Sequence, residues 1–124
     1  MRDFRSGWRR IVAASAGLLL GVLAACPAPG EGPKAERRYR RAEPVIAALA
    51  RYRGETGTYP DSLARLAPRW IAAEALAPPV QPAWPFGYVR TDDGYLLTFR
   101  YSGPGMNDCT WSQPPGTWRC SGHF

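Results

Sequence analysis

The sequence predicts an α+β fold: an amphipathic helix and a shorter second helix packed on an antiparallel sheet of about four strands, closed by one disulfide. Three observations carry that prediction. Val45, Ile46, Leu49 and Tyr52 recur at i, i+1, i+4 and i+7, one apolar stripe of a helix. Phe86, Tyr88 and Arg90 alternate with their neighbours up to Asp93-Gly94, and Tyr95, Leu97, Phe99 and Tyr101 alternate beyond it, a hairpin signature. The stretch "CTWSQPPGTWRC", from Cys109 to Cys120, folds back through Pro114-Pro115-Gly116 as a second hairpin.

The chain starts with a different kind of segment. Arg2, Arg5, Arg9 and Arg10 form a basic patch, and Ile11 to Ala25 then carries no charge. That run is short of the roughly 20 apolar residues of a spanning helix and suits the core of a signal peptide. Leu23-Ala24-Ala25-Cys26 closes it, and composition changes abruptly to proline, glycine and charge. This boundary resembles the lipobox of bacterial lipoprotein precursors, an aliphatic residue and two small ones before a cysteine. The resemblance implies that the signal is cut before Cys26 and that its thiol and new amine carry fatty acyl chains such as palmitate. Two or three chains anchor stably where one is marginal, at about 0.8 kcal/mol per buried methylene. In the same family an Asp after the cysteine retains the protein at the inner membrane. Pro27 stands there, which implies an outer-membrane anchor facing the periplasm.

The expected organisation is therefore residues 1–25 as signal peptide, 26–35 as the lipidated Cys26 and a flexible tether, and 36–124 as one small domain. The formal charge of +6 shrinks on maturation. Removing four Arg and one Asp from 16 basic and 10 acidic residues leaves 12 and 9, a net of +3. So small a balance gives no reason to expect a nucleic-acid partner.

Pro27 to Pro33 has no apolar periodicity and reads as an extended spacer. Glu36-Arg37-Arg38-Tyr39-Arg40-Arg41 reads as a solvated basic helix face near the membrane, with contact to anionic lipid as the alternative. Pro44 either begins the first helix or kinks a longer one starting near Pro33. Gly54 is its expected stop, with Arg51 and Arg53 in the last turn. Tyr59-Pro60 is an extended step and Asp61 a good N-cap. Leu63 and Leu66 lie three apart on a short helix that Pro68 ends.

An amphipathic helix ending in "ALARYRGETGTYPDSLARL" resembles the globular heads of type II secretion pseudopilins. In those a helix leads through a Gly-containing loop and a Tyr-Pro step into a second, shorter helix. The likeness covers Pro44 to Ile71 and implies a pilin-like head. This chain departs from the family in its lipobox and Pro-rich spacer, where pseudopilins carry a prepilin cleavage site and a long hydrophobic helix. Some pseudopilin heads bind calcium near a C-terminal loop. The loop "SGPGMND" with Asn107-Asp108 does not match that motif, so no metal site is carried over.

Residues 78 to 85, rich in proline and holding Trp84, read as an irregular crossing. A two-residue turn at Asp93-Gly94 pairs Tyr88 with Phe99 and Phe86 with Tyr101. Leu96, Thr98 and Arg100 then occupy the opposite face. In the second hairpin Trp111 meets Trp118 and Cys109 meets Cys120. A disulfide there suits an oxidising compartment and stabilises by ~3 kcal/mol in the chain-entropy model. Zinc would need more ligands than two Cys and the single His123.

No residue constellation identifies a reaction. The chain has no G-x-S-x-G, H-E-x-x-H, P-loop or dinucleotide fingerprint, and no cofactor is expected. Two functions remain. The first is a non-enzymatic lipoprotein whose pilin-like head mediates protein interactions in an envelope or secretion assembly. The second is a cell-wall glycan binder that stacks sugar rings on Trp84, Trp111 or Trp118.

Overall fold

The computed structural model describes residues 27–77 and 84–123. The segment expected to be a signal peptide, Cys26 and residues 78–83 of the Pro-rich crossing lie outside the described residues. Helix α1 (Pro33–Thr56) is followed by a 3-10 turn (Leu63–Leu66) and a one-turn helix α2 (Ala73–Leu76). Four strands come next: β1 (Gly87–Arg90), β2 (Tyr95–Ser102), β3 (Met106–Gln113) and β4 (Thr117–His123). They form an antiparallel meander in the order β1-β2-β3-β4, with α1 across one face. The architecture is the α+β arrangement that the sequence predicts, including the Cys109–Cys120 disulfide.

Helix α1 is the longer of the two helices that Pro44 permits. Pro33 sits in its first turn, where a missing N–H costs nothing, and Pro44 lies inside it on the exposed side. Ala35, Arg38, Ala42, Val45, Ala48 and Leu49 form the buried stripe. Three of these are alanines, so the helix backbone approaches the sheet closely. The expected stop at Gly54 is wrong by three residues. Gly57 ends the helix at φ 86°, in the left-handed region glycine enters without a Cβ penalty, and its N–H bonds to Arg53 O at 2.8 Å. Gly54 simply continues the helix. Asp61 is not an N-cap either: Ser62 occupies that position, and Asp61 pairs with Arg65 at 2.7 Å.

The core has two neighbouring clusters. Val45, Leu49, Leu66, Tyr95 and Leu97 form one, flanked by Tyr52, Trp70 and Tyr88. Ala35, Phe99, Tyr101 and Cys109 form the other, flanked by Tyr39 and Trp118. The inward residues of β2 are those expected, because strand alternation fixes a face whatever the pairing. The β1–β2 register differs from expectation. Tyr88 pairs with Leu97 and Arg90 with Tyr95, two residues from the predicted match. The connection is a four-residue turn, Thr91 to Gly94, closed by Thr91 N–H to Gly94 O at 2.9 Å. Gly94 is not in the positive-φ region a two-residue turn needs. It is required for space instead, since a Cβ there would strike the backbone of Gln113.

The basic cluster at 37–41 is split by the fold. Arg38 is only 8% exposed and donates from Nη2 to Arg100 O (2.7 Å) and Trp84 O (2.9 Å). Arg41 donates to Ala77 O at 2.6 Å. Pairing of β1 stops at Gly87↔Thr98, so β2 continues over residues 99–102 without a β1 partner. Arg38 and Lys34, which donates to Ser102 O at 2.9 Å, supply donors along that stretch.

Of the spacer expected over 26–35, the described residues 27–35 are not free. Residues 33–35 are helix, and Gly30 is held on the covered face of the sheet. Its N–H donates to the Tyr101 hydroxyl (2.7 Å), and its C=O accepts from the Tyr39 hydroxyl (3.0 Å). Glycine at 30 makes this possible, because a Cβ would lie 2.5 Å from Cys120 Sγ.

Candidate functional site

The two ends of the molecule differ. Helix α1 runs antiparallel to β2, with Lys34 against Ser102 at one end. At the other end Arg53 and Tyr59 meet the β1–β2 turn across an open cleft of about 440 Å³. Its walls are the last turn of α1 (Arg53), the loop Gly57-Thr58-Tyr59, and Arg90 to Gly94.

Each wall has a local cause. Gly57 reverses the chain, and the Thr56 hydroxyl lies within reach of both Tyr52 O (2.8 Å) and Thr58 O (3.0 Å). Tyr59 is then fixed from several sides. Its ring packs edge-on to Tyr95 at 4.8 Å, and the Arg53 guanidinium lies 5.0 Å from its centroid. Arg90 Nη1 donates to Tyr59 O at 3.4 Å. Below, the Tyr88 hydroxyl donates to Pro60 O at 2.6 Å and ties the loop to β1. On the opposite rim Asp92 and Asp93 are exposed, and Asp93 accepts from the Thr91 hydroxyl at 3.2 Å.

Burial sets the ionisation of the tyrosines packed behind the cleft. Tyr88 and Tyr95 are each pushed up to about 12, mainly by desolvation. The positive charge of Arg90 opposes the rise at Tyr88. The Trp111 indole N–H is buried without a hydrogen-bond partner among the described residues. Two arginines and two aspartates at a shallow rim can form ion pairs and hydrogen bonds with a charged chain. His123 is on the last strand, at the other end of the sheet, beside Met106. Among the described residues no three His, Cys, Asp or Glu gather as metal ligands.

The three predicted binding tryptophans, Trp84, Trp111 and Trp118, do not form one site. Trp111 and Trp118 face each other across β3–β4 at 5.5 Å, as their register required. Trp118 also packs against Tyr39 (5.1 Å) and Phe99 (5.0 Å), so its ring is committed to the core. Trp84 is separate. Its C=O accepts from Arg38, and it lines a groove of about 250 Å³ with Pro85, Gly87, Thr98 and the Arg100–Asp108 pair (2.7 Å). Asp108 is therefore engaged, and buried Asn107 donates to Pro104 O. Cys109 and Cys120 are bonded, with Cα atoms 4.1 Å apart.

The cleft is not legible in the sequence, where Arg53 reads only as a helix-end cation and Tyr59 only as an extended step. No local pattern joins them to Arg90, which is 31 residues beyond Tyr59.

No family model matches the chain, and neither a curated protein nor a solved structure matches it.

Proposed function

We propose that this chain is a non-enzymatic envelope lipoprotein, anchored through Cys26, whose pseudopilin-like head engages another protein in an envelope or secretion assembly. The anchor and the outer-membrane address rest on Leu23-Ala24-Ala25-Cys26-Pro27. The observation that carries the interaction role is the charged cleft. Its four rim charges are of both signs, spread over about 440 Å³, and supported by a fixed tyrosine rather than by a proton-transfer pair. A helix laid on an antiparallel meander also accords with the pseudopilin resemblance of residues 44–71.

The test is in-cell cross-linking of the tagged wild-type protein and of the double variant Arg53→Glu/Arg90→Glu, with mass spectrometry of the products. Secretion or pilus components captured by the wild type and lost in the variant support the reading. Recovery of abundant porins alone, unchanged by the variant, sinks it. Glycan binding retains one specific observation, the Trp84 groove with its Arg100–Asp108 pair. Quenching of tryptophan emission by cell-wall fragments, abolished in Trp84→Ala, would move that reading to the front.

A further inference from the structure

We infer that the short link between Cys26 and Gly30 seats the head end-on upon the phospholipid surface. The start of α1 and the β2–β3 turn face the headgroups, and the charged cleft points away. The inference rests on acylation of Cys26, proposed above, and adds to it an orientation.

The argument begins with the fixed end of the link. Gly30 is held by Tyr101 through its N–H and by Tyr39 through its C=O. Pro29 lies against Gly122, where a Cβ would come within 2.9 Å of the proline ring. Glu31 N–H bonds to Ala28 O at 2.9 Å, and Glu36 N–H to Gly32 O at 3.0 Å, so the chain passes from a closed turn directly into the helix. Between an acylated Cys26 and Gly30 there are four Cα steps, at most about 14 Å even at full extension. A free spacer over 26–35, nine Cα steps, would instead have reached about 32 Å.

The second part is the long axis. A 24-residue helix is about 36 Å long. The pinned end holds Gly30, Lys34, the exposed turn residues Pro104 and Gly105, and the Gly122-His123 end of β4. The cleft lies at the opposite end. With this end held within about 14 Å of Cys26, it is the membrane-proximal end, and the cleft, about a helix length away, is the distal one. Lys34 and Arg37 are exposed near this end with Glu31 and Glu36, and Glu36 pairs with Arg40 at 4.0 Å, so the charges there are mixed in sign. The covalent link and the pinned turn decide which end is proximal. The occupant of this end is the bilayer that carries the acyl chains, and the cleft is left open to soluble or envelope-bound partners.

The experiment uses the mature acylated protein in nanodiscs of phosphatidylethanolamine and phosphatidylglycerol that contain a gadolinium-chelating lipid. Amide broadening is read residue by residue. Broadening at Lys34, Gly105-Met106 and Gly122-His123 should exceed that at Gly57-Tyr59 and Asp92-Gly94 by on the order of tenfold, given a separation near the helix length. A flexible Gly-Ser insertion between Pro27 and Ala28 should flatten the gradient. Uniform broadening of the uninserted protein, or broadening along one whole flank of α1, overturns the end-on orientation and leaves the anchor standing. An intact mass without lipid on Cys26, with no loading onto the discs, overturns the anchor and the orientation with it.

Discussion

Arg38 carries its charge at 8% exposure, and two backbone carbonyls accept from the same nitrogen. Its pKa is lowered, first by burial and then by the charge of Arg41, and its Nε is buried without a partner. Such a residue stabilises by what its loss would strand. Arg38→Ala leaves Arg100 O and Trp84 O without those donors, and should cost about 3 kcal/mol in urea unfolding. Arg38→Lys should recover no more than part of this, because an ammonium on a different stem cannot reproduce the planar fork. An alanine variant as stable as wild type would show that water replaces both bonds. The two glycines near the end of α1 offer a paired test. Gly54 is helical with nothing near its missing Cβ, so Gly54→Ala should gain about 0.5–1 kcal/mol. Gly57 is equally open but left-handed, so Gly57→Ala should lose about 1–2 kcal/mol. Equal effects of the two would place the helix end elsewhere.

Strand pairing shows which elements could be read from sequence. The β3–β4 register was legible because two unlike pairs, Cys109/Cys120 and Trp111/Trp118, must be satisfied together, and one turn position does so. The β1–β2 register was not, because Asp93-Gly94 can stand in turns of two lengths. The turn that forms sets Gly94 against Gln113, a distant neighbour that leaves no room for a Cβ. Parity survived the two-residue slip, so Tyr95, Leu97, Phe99 and Tyr101 still point at the helix. The cleft was illegible for the same reason: Arg53, Tyr59 and Arg90 meet only through tertiary packing. The disulfide belongs to this scale as well. It joins the middle of β3 to the edge strand β4, and Tyr39 Oη lies 3.2 Å from Cys120 Sγ. Cys109→Ala/Cys120→Ala should lower stability by about 3 kcal/mol, and the melting temperature by more than about 10 °C for a domain of this size. Hydrogen exchange should rise first in β4 and in residues 28–31, which rest on it. Protection unchanged in both segments would show that the bond is dispensable to the fold.

At the scale of the whole molecule, the helix-on-sheet arrangement followed from two periodicities, whereas the seating of residues 27–32 on the sheet did not. Pro27 to Gly32 carries no periodic signal, and its attachment depends on hydroxyls from Tyr39 and Tyr101. Tyrosines also join the far end, where Tyr59, Tyr88 and Tyr95 stack between α1, the loop and the sheet. This makes the molecule sensitive to alkali in a defined way. A tyrosine in the unfolded chain loses its proton near pH 10, while folded Tyr88 and Tyr95 hold theirs to about 12. Between those values the unfolded state binds fewer protons than the folded one, so stability falls as pH rises. Their contribution is complete below about pH 10 and gone above about pH 12. Denaturant midpoints should therefore be flat up to pH 10 and drop steeply beyond it, and Tyr95→Phe should make the drop shallower. Ultraviolet titration provides the decisive check. If all the tyrosines ionise near pH 10 while far-ultraviolet circular dichroism remains native, Tyr88 and Tyr95 are open to water and the packing described for this end is wrong. If a fraction ionises only together with loss of the circular dichroism signal, the tyrosine stack is what joins the cleft to the core.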